Sequence, residues 1–179
     1  IENKKKIVVY SDYDCDGIPG GVVLHDFFKK INYKNFTNYV PDRHNEGYGL
    51  SLPAVENFAQ EKVGLIITVD LGITNVAEIA QAKIYGIDVI VTDHHIPHGE
   101  LPNAFAIVNP KLGEYPDGML CGAGVAFKVV QGLIKKYGEY WNINEGWEKW
   151  LLDMVGIATL SDMVPLVGEN RILAHFGLQ

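Results

Sequence analysis

The sequence predicts an α/β fold with a mostly parallel central sheet flanked by helices on both faces. Buried-type apolar runs alternate along the chain with segments of ten or more residues at helical spacing. Strands separated by such helices pair in parallel and are covered on both sides. Apolar residues make up 47% and charged residues 21% of the 179, the balance of a globular chain that buries a sizeable core. No run of 18 apolar residues occurs, so no membrane span or membrane partner is expected.

"KIVVYSD" (6–12) opens the chain as a strand after the solvated Lys4–Lys6. "GGVVLHDFFKKI" (20–31) is helical, with Val22, Val23, Phe27 and Ile31 as its apolar side. "FTNYVP" (36–41) is strand-like and leads into the polar loop "DRHNEGYGL". "LPAVENFAQE" (52–61) is a helix with Pro53 in its first turn. "GLIITVD" (64–70) is a strand, "NVAEIAQAKIYG" (75–86) a helix closed by glycine, and "IDVIVTDHH" (87–95) a strand. "AFAIVNP" (104–110) is a short strand, and a loop over 109–122 precedes the helix "GAGVAFKVVQGLIKKYG" (122–138). A last helix is expected over 145–160, with Trp147, Trp150, Leu151, Met154, Val155 and Ala158 at helical spacing and both tryptophans in the core.

The two cysteines, Cys15 and Cys121, make no disulfide framework and fit a reduced, cytoplasmic protein. Cys15 is expected to be an apolar filler alternating with its acidic neighbours. The chain has no initiator Met or visible signal peptide, and "ENRILAHFGLQ" stops in what reads as an unfinished helix, so a fragment or processed product is expected. The formal net charge of −7 argues against a general nucleic-acid-binding surface, unless bound cations place positive charge where a phosphate needs it.

"SDYDCDG" crowds Asp12, Asp14 and Asp16 at the end of the first strand. Like charges a few ångströms apart repel by about 4 kcal/mol per pair at an effective dielectric near 20, so a cation belongs among them. The spacing resembles the opening of an EF-hand loop, but the twelfth position is Val23 where a glutamate is needed, and the preceding segment is β-like. Ligand sites in open parallel sheets lie beyond the carboxyl ends of the strands. Asp70 ends "LIITVD", and Asp93, His94 and His95 end "VIVTDHH" on that same edge. Asp162, in "GIATLSDMVPL", is a fourth candidate. Single aspartates at strand ends are often helix caps; four such clusters on one edge are not. Oxygen-rich donors with one or two imidazoles suit Mn²⁺ or Mg²⁺. The carboxylates exceed the needs of one ion, so two ions are expected, with Asp70 as the bridge and phosphoester hydrolysis as the chemistry.

In this order, "DYDCDG", the Asp of "LIITVDLGI", "VIVTDHH" and "ATLSDMVPL" resemble the DHH phosphoesterases, in particular their RecJ-like branch. The flanking stretches "YVPDRHNEGYGL", "AIVNPKL", "LCGAGVAFKVVQGL" and "VPLVGENRIL" share the likeness, which covers practically the whole chain. The resemblance implies a DHH phosphoesterase domain with metal ligation by Asp14, Asp16, Asp70, His94 and Asp162. Asp12 would lie in or next to the ligand shell, and His95 would contact the scissile phosphate or the leaving group. It implies a single-strand-specific 5′→3′ DNA exonuclease releasing 5′-mononucleotides in DNA repair and recombination. A helicase and a single-strand-binding protein would be its partners. Residues 1–165 would be the catalytic domain, and 166–179 the start of a linker helix toward a C-terminal domain that nothing here matches.

The rivals are a DHH phosphoesterase acting on short oligonucleotides or cyclic dinucleotides, and a catalytically weak RecJ-like scaffold. Arg43 is expected either to meet a phosphate or to pair with Asp42 and Glu46 on the surface. Tyr48 could stack on a base. Gly122 and Gly124, at a helix start, could receive a phosphate on their amides or simply allow close packing. Arg171 is expected to seat the terminal helix.

Overall fold

The computed structural model describes residues 4–179. The strands are β1 (Lys6–Ser11), β2 (Phe36–Tyr39), β3 (Val63–Val69), β4 (Asp88–Thr92) and β5 (Ala106–Val108). They form one five-stranded sheet in the order β2-β1-β3-β4-β5, with every pairing parallel. The chain passes from β1 to β2 on one side and then crosses to β3 on the other. The strand order therefore reverses between β1 and β3, which is where a crevice opens beyond the carboxyl ends.

Successive residues of β1 point to opposite faces, and both faces are buried. Ile7 and Val9 join a core with α1 (Gly17–Lys30), α4 (Gly122–Tyr137) and α5 (Leu152–Ser161). Val8 and Tyr10 join a second core with α2 (Leu52–Gln60) and α3 (Val76–Ile84). Each such side chain contributes about 1.5–3 kcal/mol on leaving water. The two cores hold the central strands rigidly, so the residues just past their ends are fixed in space.

Helix α1 begins at Gly17, three residues before the expected start at residue 20. Pro19 fits its first turn, where a missing N–H leaves nothing unpaired. The Asp14 carboxylate accepts the N–H groups of Asp16 and Gly17, both at 2.8 Å. The helix expected over 145–160 is instead a 3₁₀ segment, Trp147–Leu151, followed by α5. The buried stripe runs through Leu151, Val155 and Ala158. Trp147 packs against the core, whereas Trp150 is 81% exposed and corrects the expectation that both tryptophans are internal. The change of helix type at Leu151 breaks the α-helical spacing on which that expectation rested.

The terminal helix α6 (Gly168–Gly177) packs on α5 so closely that a Cβ on Gly177 would lie 2.1 Å from the Leu152 carbonyl oxygen. Glu169 and Asn170, rather than the exposed Arg171, seat it. Tyr115 and Lys128 each donate to the Glu169 carboxylate at 2.6 Å, and the Asn170 amide donates to the Met119 carbonyl at 2.8 Å. Among the described residues, no helix is long and apolar enough to cross a membrane.

Candidate metal centre

The first acidic cluster is shaped by a turn that folds back on itself. Asp12 N–H still reaches the Val69 carbonyl at 3.2 Å, extending the β1–β3 ladder by one bond. The chain then turns so tightly that a Cβ on Gly17 would lie 2.6 Å from the Asp12 carbonyl oxygen. Segment 12–16 is a turn rather than strand, so alternation of faces does not continue through it. Cys15 is accordingly exposed and corrects the expectation of an apolar filler.

Asp70 follows β3 directly, with φ at +64°. The left-handed region is costly for most side chains but tolerated by aspartate. Its N–H donates to the Thr92 carbonyl at 2.9 Å, and its carbonyl accepts from the Tyr48 hydroxyl at 3.3 Å. The side chain is 2% exposed, and its Oδ1 has no hydrogen-bond donor. His94 Nε2 comes within 3.1 Å of that oxygen without the alignment of a hydrogen bond.

Past β4, the Asp93 carboxylate organises the two histidines. Its Oδ1 accepts the N–H of His94 at 2.7 Å, the N–H of His95 at 3.0 Å and the His95 ring Nδ1–H at 2.8 Å. Its Oδ2 accepts the Ile73 N–H at 2.9 Å. Burial alone would raise the Asp93 carboxyl, but the His95 and Ile73 hydrogen bonds outweigh it and hold the group below its ordinary range. The same ring bond raises His95 against the opposing pull of burial. A carboxylate only accepts, so Nδ1 carries the proton and Nε2 is the free ring nitrogen. The sequence counts Asp93 only among the donor groups of this edge, whereas here it belongs to none of the three donor groups and orients the histidines instead. Its place immediately before the histidine pair at a strand end was the available signal.

The expected ligands do come together. One donor atom from each of Asp70, His94 and His95 lies within 4.8 Å of the others, and the same holds for Asp16, His94 and Asp162, and for Asp12, Asp14 and Asp70. Asp70 and His94 each belong to two of these groups and join them into one centre. His94 Nε2 is 3.7 Å from Asp16 Oδ2, and His94 Nδ1 is 3.8 Å from Asp162 Oδ2.

Burial and then the neighbouring Asp16 and Asp14 push the Asp70 carboxyl up to about 10. Burial also raises Asp12, Asp16 and Asp162. It lowers His94 despite the opposing charges of Asp16 and Asp162. Such a centre is costly as bare anions and is relieved by a cation. The orphaned, buried Asp70 Oδ1 and a donor set of carboxylates and imidazoles fit a hard divalent metal.

Gly122 and Gly124 correct an expectation. The Gly122 and Ala123 amides donate to the two Asp16 oxygens at 2.5 and 2.7 Å, and the Gly124 amide donates to Cys121 Sγ at 3.3 Å. The helix start therefore holds a carboxylate of the chain itself, and these buried amides are not free for a phosphate. Gly122 is needed for close packing, because a Cβ there would lie 2.5 Å from the Asp70 Cβ.

Arg43 makes no ion pair with Asp42 or Glu46. Those carboxylates accept loop N–H groups, and Glu46 also accepts the Tyr39 hydroxyl. The Arg43 guanidinium lies over the Tyr13 ring, 5.2 Å from its centroid, beside the acidic turn. Tyr48 is half-exposed, with its ring edge-to-face to His95 at 5.8 Å and its hydroxyl 3.3 Å from His95 Nδ1.

A family model described as the DHH family, N-terminal domain, matches residues 6–159. The chain is 42% identical over 182 residues to the single-stranded-DNA-specific exonuclease RecJ of Bacillus subtilis, covering 100% of this chain and 22% of that protein. It is 38% identical over 180 residues to the RecJ of Haemophilus influenzae, covering 98% and 31%. A crystal structure of exonuclease RecJ bound to manganese superposes with a TM-score of 0.89 at 34% identity, over 99% of this chain and 44% of that one. The chain thus spans less than a third of the length of these curated relatives.

Proposed function

The chain belongs to the DHH family, and from that premise we propose that it is the metal-holding part of a RecJ-type exonuclease. Such an enzyme hydrolyses phosphodiester bonds of single-stranded DNA from the 5′ end and releases 5′-mononucleotides. The observation that carries this reading is the buried, donorless Asp70 Oδ1 at the junction of the three donor groups. Asp12, Asp14, Asp16, Asp70, His94 and Asp162 would hold two ions, Mn²⁺ or Mg²⁺. Bound there, the ions would lower the pKa of an attacking water and offset the charge developing on the phosphate oxygens.

The chain's own side chains do the rest. Asp93 fixes the His95 ring and leaves Nε2 to hold a proton for the departing oxygen. Arg43, which forms no ion pair among the described residues, takes a backbone phosphate, and the exposed part of Tyr48 offers a base an aromatic edge. Residues 1–165 form the catalytic unit in this reading, with 166–179 leading toward a second domain. The activity would serve DNA repair and recombination in the cytoplasm, beside a helicase and a single-strand-binding protein.

The test is hydrolysis of 5′-labelled single-stranded DNA with Mn²⁺, alongside EDTA and His95→Ala controls. Early release of labelled mononucleotide that both controls abolish is expected. Release that persists at the parental rate in EDTA or in His95→Ala overturns the assignment.

A further inference from the structure

The segment "NPK" (109–111), directly after β5, reaches back over the end of the neighbouring strand β4. Its side chains end on two consecutive carbonyls. The Asn109 amide donates to the His95 carbonyl at 2.9 Å, and the Lys111 ammonium donates to the His94 carbonyl. The segment is itself held: Asn109 Oδ1 accepts the Lys111 N–H at 2.9 Å, and the Asn109 carbonyl accepts the Leu112 N–H at 3.0 Å. Asn109 is 6% exposed, and Lys111 is partly buried and forms no ion pair among the described residues.

With the Asp93 bonds, this completes the backbone of both histidines. Their two N–H groups sit on the Asp93 carboxylate and their two carbonyls on Asn109 and Lys111. Four fixed backbone bonds on two residues leave little freedom in where the rings start. We propose that Asn109 and Lys111 are positioning residues, a clamp from β5 that sets the His94 and His95 rings against Asp70 and Asp162. The assignment rests on the metal-dependent reading above. Loss of such an outer partner typically costs 10–100-fold in metal affinity or activity.

Asn109→Ala, Lys111→Met and Lys111→Arg test the clamp by three readouts: Mn²⁺ affinity by calorimetry, kcat and KM taken separately on single-stranded DNA, and melting temperature in EDTA. The first two variants are expected to bind Mn²⁺ about tenfold more weakly and to lose about 10–100-fold in kcat, with KM within about twofold of the parent. Lys111→Arg keeps a donor for the His94 carbonyl and should recover most of both. Mn²⁺ affinity within twofold of the parent in Asn109→Ala and Lys111→Met overturns the clamp. A raised KM at unchanged kcat in Lys111→Met also overturns it, because the ammonium would then be meeting substrate directly. If Asn109→Ala does not fold, the Met and Arg variants at position 111 decide alone. If the parent binds Mn²⁺ but does not cleave DNA, the second domain is needed to present the strand, and the Mn²⁺ affinities alone decide the clamp.

Discussion

His95 Nδ1 lies 2.8 Å from Asp93 Oδ1, and the same oxygen receives the backbone N–H groups of both histidines. One buried carboxylate thus sets the ring's tautomer and the backbone from which it projects. Asp93→Asn keeps an oxygen for the three histidine donors, but it sets an NH₂ against the Ile73 N–H and removes the charge that favours a protonated His95 ring. A loss of about 10–100-fold in kcat is expected, with Mn²⁺ affinity less affected. Single-turnover rates at saturating Mn²⁺ check this; an unchanged rate would remove Asp93 from the mechanism.

Asp70 yields a pH dependence of definite sign. Its folded carboxyl is pushed up to about 10 from the model-compound 3.8, chiefly by burial and then by Asp16 and Asp14. A group raised in the fold contributes stability that is present below its unfolded value and lost as pH rises toward its folded one. In EDTA, the melting temperature should therefore fall between about pH 5 and pH 9. Asp70→Asn should flatten that fall and melt higher at neutral pH. Recovering even about 2 kcal/mol is worth roughly 4–8 °C in a chain of this size. With Mn²⁺ present the order reverses, since the parent gains from binding and the variant loses a ligand. Protons and metal compete for the same oxygens, so Mn²⁺ affinity should weaken as pH drops. A variant that keeps more than a tenth of the parental hydrolysis would sink the bridging role of Asp70.

The sheet and the edge that carries the acidic groups were legible from the alternation of buried strands with helices, because parallel order places every strand end on one side. The ligand types were legible too, since crowded aspartates need a cation whatever their local turn. Interactions made by the backbone were not legible. The amides of Gly122 and Gly124 looked available at a helix start, yet Asp16, 106 residues earlier than Gly122, takes the first of them. Asn109 and Lys111 act through carbonyls, and no residue pattern announces an acceptor that every residue possesses. Trp150 failed as a core residue because helix type changes beside it, and spacing alone cannot tell a 3₁₀ turn from an α-helix.

Two glycines of one helix should respond in opposite directions to the same substitution. Gly132 lies inside α4 with no atom within 4 Å of a built Cβ, so Gly132→Ala should stabilise by up to about 1 kcal/mol through helix propensity. Gly122→Ala brings a Cβ within 2.5 Å of the Asp70 Cβ and 2.7 Å of its Oδ1. Asp70 must move, and its left-handed backbone, tied to Thr92 and Tyr48, leaves it little room. Mn²⁺ affinity should fall at least tenfold in Gly122→Ala and stay unchanged in Gly132→Ala. Calorimetry of the pair checks this, and equal affinities would show that the Asp70 carboxylate is not held where the metal needs it.

Arg43 separates substrate capture from chemistry. Its guanidinium rests over the Tyr13 ring beside Asp12, and its charge lowers that carboxyl against the stronger, upward effect of burial. Among the described residues it is partnered by no carboxylate, so it is free to meet a phosphate bidentately, a geometry that lysine cannot reproduce. Hydrogen bonds to charged groups contribute about 1.5–3 kcal/mol, and each 1.4 kcal/mol is tenfold in affinity. Arg43→Met should therefore raise KM for single-stranded DNA by about tenfold or more at nearly constant kcat, and Arg43→Lys should restore only part of it. The effect should shrink as salt rises, because screening weakens an exposed phosphate contact. If instead kcat falls while KM holds, Arg43 acts on the charge of the acidic turn through Asp12, and the rim would need another phosphate contact.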